Sequence, residues 1–213
     1  LNTKDNLNAE LIENEKLPPT TPPTPPNSTN PAIRTIAKDS KTNDHIALAG
    51  KDVTIIDTVY FYNLTAGQEY RLCGKIMDKE TGKPVVIHGK EVTAEITFKP
   101  TVSTGTQDIS FFFDARTLKG KDVVVFETLY KVVTDKDGKV TEEKVTSHED
   151  INDSGQTITF PEIHTTATGE NGEKTIEAKG IVNIIDTVRY EHLIAGKTYT
   201  MKGYLVDKKT GKA

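Results

Sequence analysis

The stretch VTIIDTVYFYNLTAGQEYRLCGKIMDKETGK, residues 53–83, has a close counterpart later in the chain. Residues 182–212 read VNIIDTVRYEHLIAGKTYTMKGYLVDKKTGK, at an offset of 129 residues. A shorter pair, PAIRTIA at 31–37 and PEIHTTA at 161–167, repeats at an offset of 130 residues. A repeat of this length corresponds to a whole domain rather than to one unit of a solenoid.

The repeat divides the chain into three parts. We expect a complete module over residues 31–160 and the N-terminal part of a second copy, incomplete, over residues 161–213. Residues 1–30 contain LPPTTPPTPPNSTNP, whose prolines are incompatible with a helix or a central strand. This composition predicts an extended, Pro- and Thr-rich linker of polyproline II type, preceded by a possible tail of an upstream domain.

Within the module the pattern predicts strands and no helices. Segments rich in β-branched and aromatic residues alternate with turn signals at Ala66-Gly67, Thr81-Gly82, Gly105 and Asp137-Gly138. The predicted strands are KDVTIIDTVYFY, QEYRLCGKIMD, EVTAEITFKP, QDISFFFDA, KDVVVFETLYKVV, KVTEEKVTSHE and QTITFPEI. Seven or eight short strands at this spacing indicate an all-β fold, an antiparallel β-sandwich of immunoglobulin type.

Composition excludes several function classes. The net charge is −4 and lysine and glutamate are interspersed, which argues against nucleic acid and against an anionic membrane surface as partners. No stretch approaches the 18 apolar residues of a membrane span. The single cysteine, Cys73, has no partner for a disulfide and no companion at metal-ligand spacing. We therefore expect no metal and no cofactor.

Two carboxyl groups interrupt apolar strand faces. Side chains alternate between the two faces of a strand, so Asp57 shares a face with Ile55 and Val59. Asp186 repeats this position in the second copy, and Glu127 interrupts the apolar face of VVVFETLY. A carboxyl group in an apolar row is costly unless it is neutral or paired. The acids are candidates for a tuned site, but a solvent-facing or backbone-capping role fits the pattern equally well.

Four motifs, taken together, resemble the VaFE-repeat domains of Gram-positive cell-surface adhesins, which carry an internal Thr–Gln ester bond. They are PAIRTIA, VTIIDTVYFYNLTAGQEY, VVVFETLY and HEDINDSGQT, in that order along the chain. The resemblance covers residues 31–160 in full and residues 161–213 in part.

The resemblance implies an ester bond between Thr35 and Gln156, assisted by Asp57, Glu127 and His148. An alcohol is a weak nucleophile and a primary amide a poor electrophile, so both need help. We expect His148 to accept the threonine proton and pass it to the departing ammonia. A protonated Asp57 or Glu127 would donate a hydrogen bond to the glutamine carbonyl as negative charge develops on it.

The second copy holds Thr165 and Asp186 as counterparts of the first threonine and aspartate, and no counterpart of the other three residues. As an incomplete copy it should have little stability in isolation, because missing strands leave a half-core and open edges. The implied protein is a monomeric stalk module of a secreted, cell wall-anchored adhesin, next to further copies of the module. A host ligand would bind another domain, and the module would modify itself once rather than act as an enzyme.

Three alternatives stay open. A related sandwich could carry a lysine isopeptide, with Lys38 on the first strand as the candidate lysine. A plain host-ligand-binding module without a cross-link is a different class. A hydrolase that uses His148 with one of the two acids has no substrate-binding signature to support it.

Overall fold

The computed structural model of the chain describes residues 7–13, as backbone, and residues 22–212. These residues form fifteen β-strands and one 3-10 helix. In chain order they are β1 (Leu7–Glu13), β2 (Ala32–Asp39), β3 (Val53–Tyr62), β4 (Tyr70–Asp78), β5 (Lys83–Pro84), β6 (Val86–Ile87), β7 (Lys90–Glu91), β8 (Thr93–Phe98), β9 (Gly105–Phe113), the helix (Arg116–Leu118), β10 (Lys121–Thr134), β11 (Val140–His148), β12 (Thr157–Phe160), β13 (Glu162–Thr168), β14 (Ile185–Glu191) and β15 (Tyr199–Leu205).

The unit that ends at Phe160 is built from two main antiparallel sheets. One has the order β2-β3-β9, and the other has the order β11-β10-β4-β5, with β12 also paired to β10 and β8 to β4. Their apolar faces meet in one core, where Phe111 of the first sheet and Leu72 of the second are both buried. The chain therefore has the predicted fold, an antiparallel β-sandwich of immunoglobulin type.

The predicted strands agree with the observed ones to within a few residues, with two differences. QTITFPEI breaks at Pro161, which has no N–H for a ladder, so that β12 ends before it and β13 begins after it. The short strands β5, β6 and β7 and the 3-10 helix were not predicted. The LPPTT part of the predicted linker lies outside the described residues.

Gly105 corrects a predicted turn. It begins strand β9, and a Cβ atom at this position would lie 2.8 Å from the Phe61 ring. Glycine is needed here for the close approach of backbone to an aromatic ring, not for a turn. Gly67, Gly82 and Gly138 do occupy turns with positive φ, as predicted.

Strand β10 determines where the polar motifs meet. Its N-terminal part, Lys121–Val124, pairs with β12, and its C-terminal part, from Glu127 to Thr134, pairs with β11. Strands β11 and β12 thus lie end to end along one side of β10, while β4 lies along the other. The loop 149–156 interrupts this side of the sheet, next to the middle of β10.

The second unit groups β1 with the residues after Pro161. It contains two antiparallel pairs, β13-β14 and β1-β15. In this pairing Ala167 lies opposite Asp186, as Ala37 lies opposite Asp57 in the first copy. Within the described residues the second copy has counterparts of β2, β3 and β4 alone. No described segment forms a helix of the length and apolarity that a membrane crossing needs.

Candidate functional site

Four polar side chains that the sequence singled out are buried in the sandwich. Asp57 and Gln156 have 0% relative exposure, Glu127 has 1% and Thr35 has 4%. Asp57 lies on β3, Glu127 on β10 and Thr35 on β2. Gln156 lies in the turn before β12. The solvent-facing interpretation of the two acids is therefore wrong.

Strand register brings the two acids together from opposite sheets. In one sheet Asp57 lies between Ala37 and Ile109 on the neighbouring strands. In the other, Glu127 lies between His148 and Gly74. The two carboxyl groups are within hydrogen-bonding reach of each other. Two-residue periodicity placed each acid on a strand face with apolar neighbours, and the sandwich buries these two faces against each other.

Hydrogen bonds connect these acids to the threonine and the glutamine. Thr35 Oγ1 donates to Glu127 Oε2 at 3.3 Å. Gln156 Nε2 donates to Asp57 Oδ1 at 3.3 Å. The buried groups therefore form a continuous series from Thr35 through Glu127 and Asp57 to Gln156. This series joins an alcohol to a primary amide through two carboxyl groups.

The surroundings favour the protonated forms of the two carboxyl groups. Burial raises the pKa of Asp57 to about 6, against the lowering effects of Glu127 and of His148. Burial, and next the negative charge of Asp57, raise the pKa of Glu127 well above its ordinary value. Asp57 Oδ2 and Glu127 Oε1 are buried without a hydrogen-bond partner among the described residues. A proton shared between the two groups would satisfy one oxygen of each.

Apolar packing explains why the pair is so strongly desolvated. A Cβ atom at Gly74, opposite Glu127, would lie 2.5 Å from Phe111 Cζ and 3.3 Å from Ile109 Cδ1. The missing side chain thus lets an aromatic and an aliphatic side chain fill the space beside the acids. Water is excluded there, and the charged form of a carboxyl group loses its hydration.

Backbone contacts fix Gln156 between the two sheets. Val125 N donates to the Gln156 carbonyl at 3.1 Å, and Ala37 N donates to the Gly155 carbonyl at 2.9 Å. The first contact belongs to the sheet of β10 and the second to the strand that carries Thr35. The glutamine is therefore held between β10 of one sheet and β2 of the other.

Asp153 is a site residue that the sequence analysis missed. One of its oxygens, Oδ2, lies 2.7 Å from His148 Nε2, and the other, Oδ1, accepts a hydrogen bond from Gly155 N at 2.7 Å. A single carboxylate thus orients the histidine and the turn that presents Gln156. The available signal was the DSG sequence, because aspartate two residues before glycine favours such a turn.

His148 lies beside the pair rather than on the threonine. It faces Glu127 across the ladder, and its positive charge, when protonated, lowers the pKa of Asp57. In the described residues its side-chain hydrogen bond goes to Asp153, and the Thr35 hydroxyl donates to Glu127. Asp57 likewise accepts from the glutamine nitrogen, where the sequence analysis expected an acid to donate to the carbonyl.

The second copy holds only part of this arrangement. Thr165 and Asp186 lie in the paired strands β13 and β14, at the register positions of their first-copy counterparts. Asp186 Oδ1 is buried without a hydrogen-bond partner in the described part of the chain. Residues 161–212 bring no second acid, histidine or glutamine to these two residues.

Lys38 and Cys73 lie outside the site. Lys38 belongs to the outer face of β2, because side chains alternate and Thr35 and Ala37 face inward. Cys73 lies half-buried on the outer face of β4, where it accepts a hydrogen bond from Arg71 Nη1 at 2.8 Å. It borders a groove of about 470 Å³ that contains none of the five site residues. The described residues contain no cluster of three or more potential metal ligands.

Comparison with solved structures finds a bacterial adhesin and a bacterial pilin among the similar chains. A Mobiluncus mulieris adhesin containing intramolecular disulfide, isopeptide and ester bond cross-links is 18% identical, with a TM-score of 0.49, over 82% of this chain and 80% of that one. The major pilin subunit of Bacillus cereus is 9% identical, with a TM-score of 0.30, over 86% of this chain and 68% of that one. No curated protein matches the chain.

A family model matches most of the sequence. It is the model of the T-Q ester bond containing domain, and it matches residues 31–160 and again residues 161–213. The two matched segments are the two copies of the repeat, and the first contains all five residues that the sequence analysis selected for the complete site. The chain therefore belongs to the family of T-Q ester bond containing domains.

Proposed function

We propose that residues 31–160 form an ester between Thr35 and Gln156 and act as a stalk module of a bacterial surface adhesin. The observation that carries the proposal is the buried series of hydrogen bonds from the threonine hydroxyl, through two carboxyl groups, to the glutamine amide. An alcohol, an amide and a protonated carboxyl pair without solvent are the components of an acyl transfer.

The reaction exchanges a C–N bond for a C–O bond. Thr35 Oγ1 attacks Gln156 Cδ, and its proton passes to Glu127 Oε2, which already accepts its hydrogen bond. The proton held by Glu127 passes to Asp57, and Asp57 Oδ1 delivers one to Gln156 Nε2, which leaves as ammonia. Glu127 ends protonated and Asp57 ends ionised, as both began. This route gives the threonine proton to Glu127 in place of His148.

His148 and Asp153 then have supporting roles. The imidazolium beside the pair favours the ionised form of Asp57, and Asp153 holds that imidazole and the turn before Gln156 in place. Folding brings the reacting groups together, and such proximity can lower a barrier by roughly 7–11 kcal/mol. The module reacts once with itself and turns over no substrate, so it is not an enzyme in the usual sense.

The bond would close the module near both of its ends. It would enclose about 120 residues, which in the chain-entropy model stabilises the fold by roughly 5 kcal/mol. Thr35 lies on one sheet and Gln156 on the other, so the ester would also link the two sheets. A force on the two ends would pass through the bond and bypass the remaining strands. This suits a stalk, secreted and anchored to the wall of a Gram-positive cell, that holds a separate ligand-binding domain.

Intact mass of the denatured chain tests the ester directly. We expect a deficit of about 17 Da, one ammonia, in the unaltered chain and none in Thr35→Val. Hydroxylamine should cleave the bond and add about 33 Da to the linked chain, because esters react with this nucleophile and amides resist it. A mass deficit that survives hydroxylamine would show that the cross-link is an isopeptide and not an ester. The absence of any deficit would refute the cross-link.

A further inference from the structure

The Pro-rich segment that precedes the module does not run free of it. Residues 22–30 lie against the end of β3, where Tyr62 Oη donates to the Pro23 carbonyl at 3.1 Å. Asn63 Nδ2 donates to the carbonyls of Ser28 at 2.8 Å and Asn30 at 3.1 Å. Two neighbouring side chains therefore hold both ends of the segment by its backbone.

The burial of the segment has the period of a polyproline II helix. Within residues 22–30 only Pro23 and Pro26 are half-buried, and the others are exposed. A polyproline II helix has three residues per turn, so these two prolines lie on one face of it. This face is directed at the module, and the threonine between the proline pairs, Thr24, is exposed.

The side chains that contact the segment lie at the end of β3. Tyr62 is the last residue of this strand and is 7% exposed with the segment in place. Asn63 follows with a φ of 57°, a left-handed conformation that asparagine tolerates better than most residues. Proteins recognise Pro-x-x-Pro segments with aromatic side chains. Tyr62 supplies such a ring, beside the amide donor of Asn63.

The second copy supplies an internal comparison. Glu191 and His192 stand where the first copy has Tyr62 and Asn63, and His192 has the same φ of 57°. The backbone is thus conserved between the copies while the donors differ. The second copy begins at Pro161, directly after β12, with no Pro-rich segment before it. Within this chain, the tyrosine and asparagine occur together with the segment they bind.

We propose that Tyr62 and Asn63 form a binding site for a Pro-rich segment, occupied by the chain's own residues 22–30. The site makes this part of the linker a fixed extension of the module and sets the direction in which the chain leaves it. Its role is independent of the ester, since neither Tyr62 nor Asn63 contacts the buried series that joins Thr35 to Gln156.

Backbone amide relaxation of the full chain by NMR tests the site. Residues Thr24 and Asn27–Asn30 supply the amides, because proline has none. In the unaltered chain we expect order parameters near those of rigid backbone, about 0.85, at these positions. The double variant Tyr62→Glu/Asn63→His installs the second-copy residues and should lower them below about 0.6. Tyr62→Phe keeps the ring and removes one hydrogen bond, so its values should lie between the two.

Two controls separate release of the segment from misfolding. The reverse exchange in the second copy, Glu191→Tyr/His192→Asn, should leave the order parameters of residues 24–30 unchanged. Amide shifts of the core should match those of the unaltered chain, and every variant should show the same deficit between intact and calculated mass as the unaltered chain. Low order parameters in the unaltered chain would overturn the proposal. High values that persist in the correctly folded double variant would also overturn it, because proline stiffness alone would then explain the order.

Discussion

The two copies of the repeat share a strand pair and differ in how well it is covered. Phe61 is 4% exposed, whereas its counterpart Tyr190 is 62% exposed. Leu72 is 0% exposed, whereas its counterpart Met201 is 40% exposed. The positions are equivalent in sequence, so the difference arises from the strands around them. In the first copy β8 to β12 complete the sandwich, and residues 161–212 have no counterpart of these strands.

The same difference separates a half-site from a site. Both copies place a threonine and an aspartate on paired strands with matching register. Only the first copy adds Glu127, His148 and Gln156, all of which belong to β10, to β11 or to the turn before β12. Chemistry and core therefore depend on the same strands. A module that lacks these strands supplies neither the second acid nor the amide.

Removal of the Glu127 carboxyl group should leave the first copy with one acid, as in the second copy, while the core of the first copy stays intact. Glu127→Gln keeps the shape of the side chain but cannot accept the threonine proton or hold one for Asp57. We expect ester formation to slow by about 10²–10⁴-fold, the usual loss when acid–base catalysis is removed. The measurement is the intact mass of freshly purified chain, followed over time for the loss of ammonia.

His148→Gln provides the comparison for this experiment, and Asp186→Asn the matched control in the second copy. The first should slow the reaction less than Glu127→Gln does, because in our route the histidine acts through charge. The second should not change the rate. A Glu127→Gln chain that reacts as fast as the unaltered one, beside an inert His148→Gln chain, would return the role of base to the histidine.

Loss of the ester alone should remove much of the stability that distinguishes the copies. Thr35→Val deletes the nucleophile, and with it a cross-link worth roughly 5 kcal/mol. For a module of this size we expect the melting temperature to fall by about 15 °C. Thr165→Val makes the identical substitution in the half-site and should leave the transition of the first module in place. Calorimetry that finds equal shifts for the two variants would show that the effect is not due to a cross-link.

The sequence predicted the fold and the apolar strands that carry the acids, because both follow from local pattern. Apolar alternation placed Asp57 and Glu127 on strand faces, and the repeat delimited the copies. Family resemblance, not pattern, selected Thr35 and Gln156 from many similar threonines and glutamines. The pattern of each strand by itself left open whether the acids were buried, because that depends on which sheet covers which face.

Asp153 and the linker site were missed for a different physical reason. The role of Asp153 requires that β11 and β12 lie end to end on β10, so that the loop between them folds back on His148. That arrangement is a long-range pairing, and the DSG sequence in the loop indicates only the turn, not its contact with His148. The contact between Pro23 and Tyr62 is likewise separated by 39 residues along the chain. Composition predicts a polyproline II conformation, but not what the segment binds.

The smallest expected effect is a pH dependence of stability that belongs to the first copy. A carboxyl group with a folded pKa above its unfolded value binds more protons in the folded state, so the free energy of unfolding falls as pH rises between the two values. For Asp57 these values are 3.8 and about 6. Glu127 acts in the same direction, because burial and the negative charge of Asp57 raise its pKa above the ordinary value of 4.5.

Urea unfolding of Thr35→Val between pH 4 and 7, with and without Asp57→Asn, isolates the aspartate. The Thr35→Val background keeps both acids and avoids the ester, which would obscure their titration. Relative to the double variant, we expect its free energy of unfolding to fall by up to about 3 kcal/mol between pH 4 and 6, and then to level off. Asp186→Asn in the same background should leave the slope unchanged. A difference that is constant over this range, or that grows with pH, would mean that the folded core does not raise the pKa of Asp57, and the desolvated carboxyl pair from which the proposed relay starts would be absent.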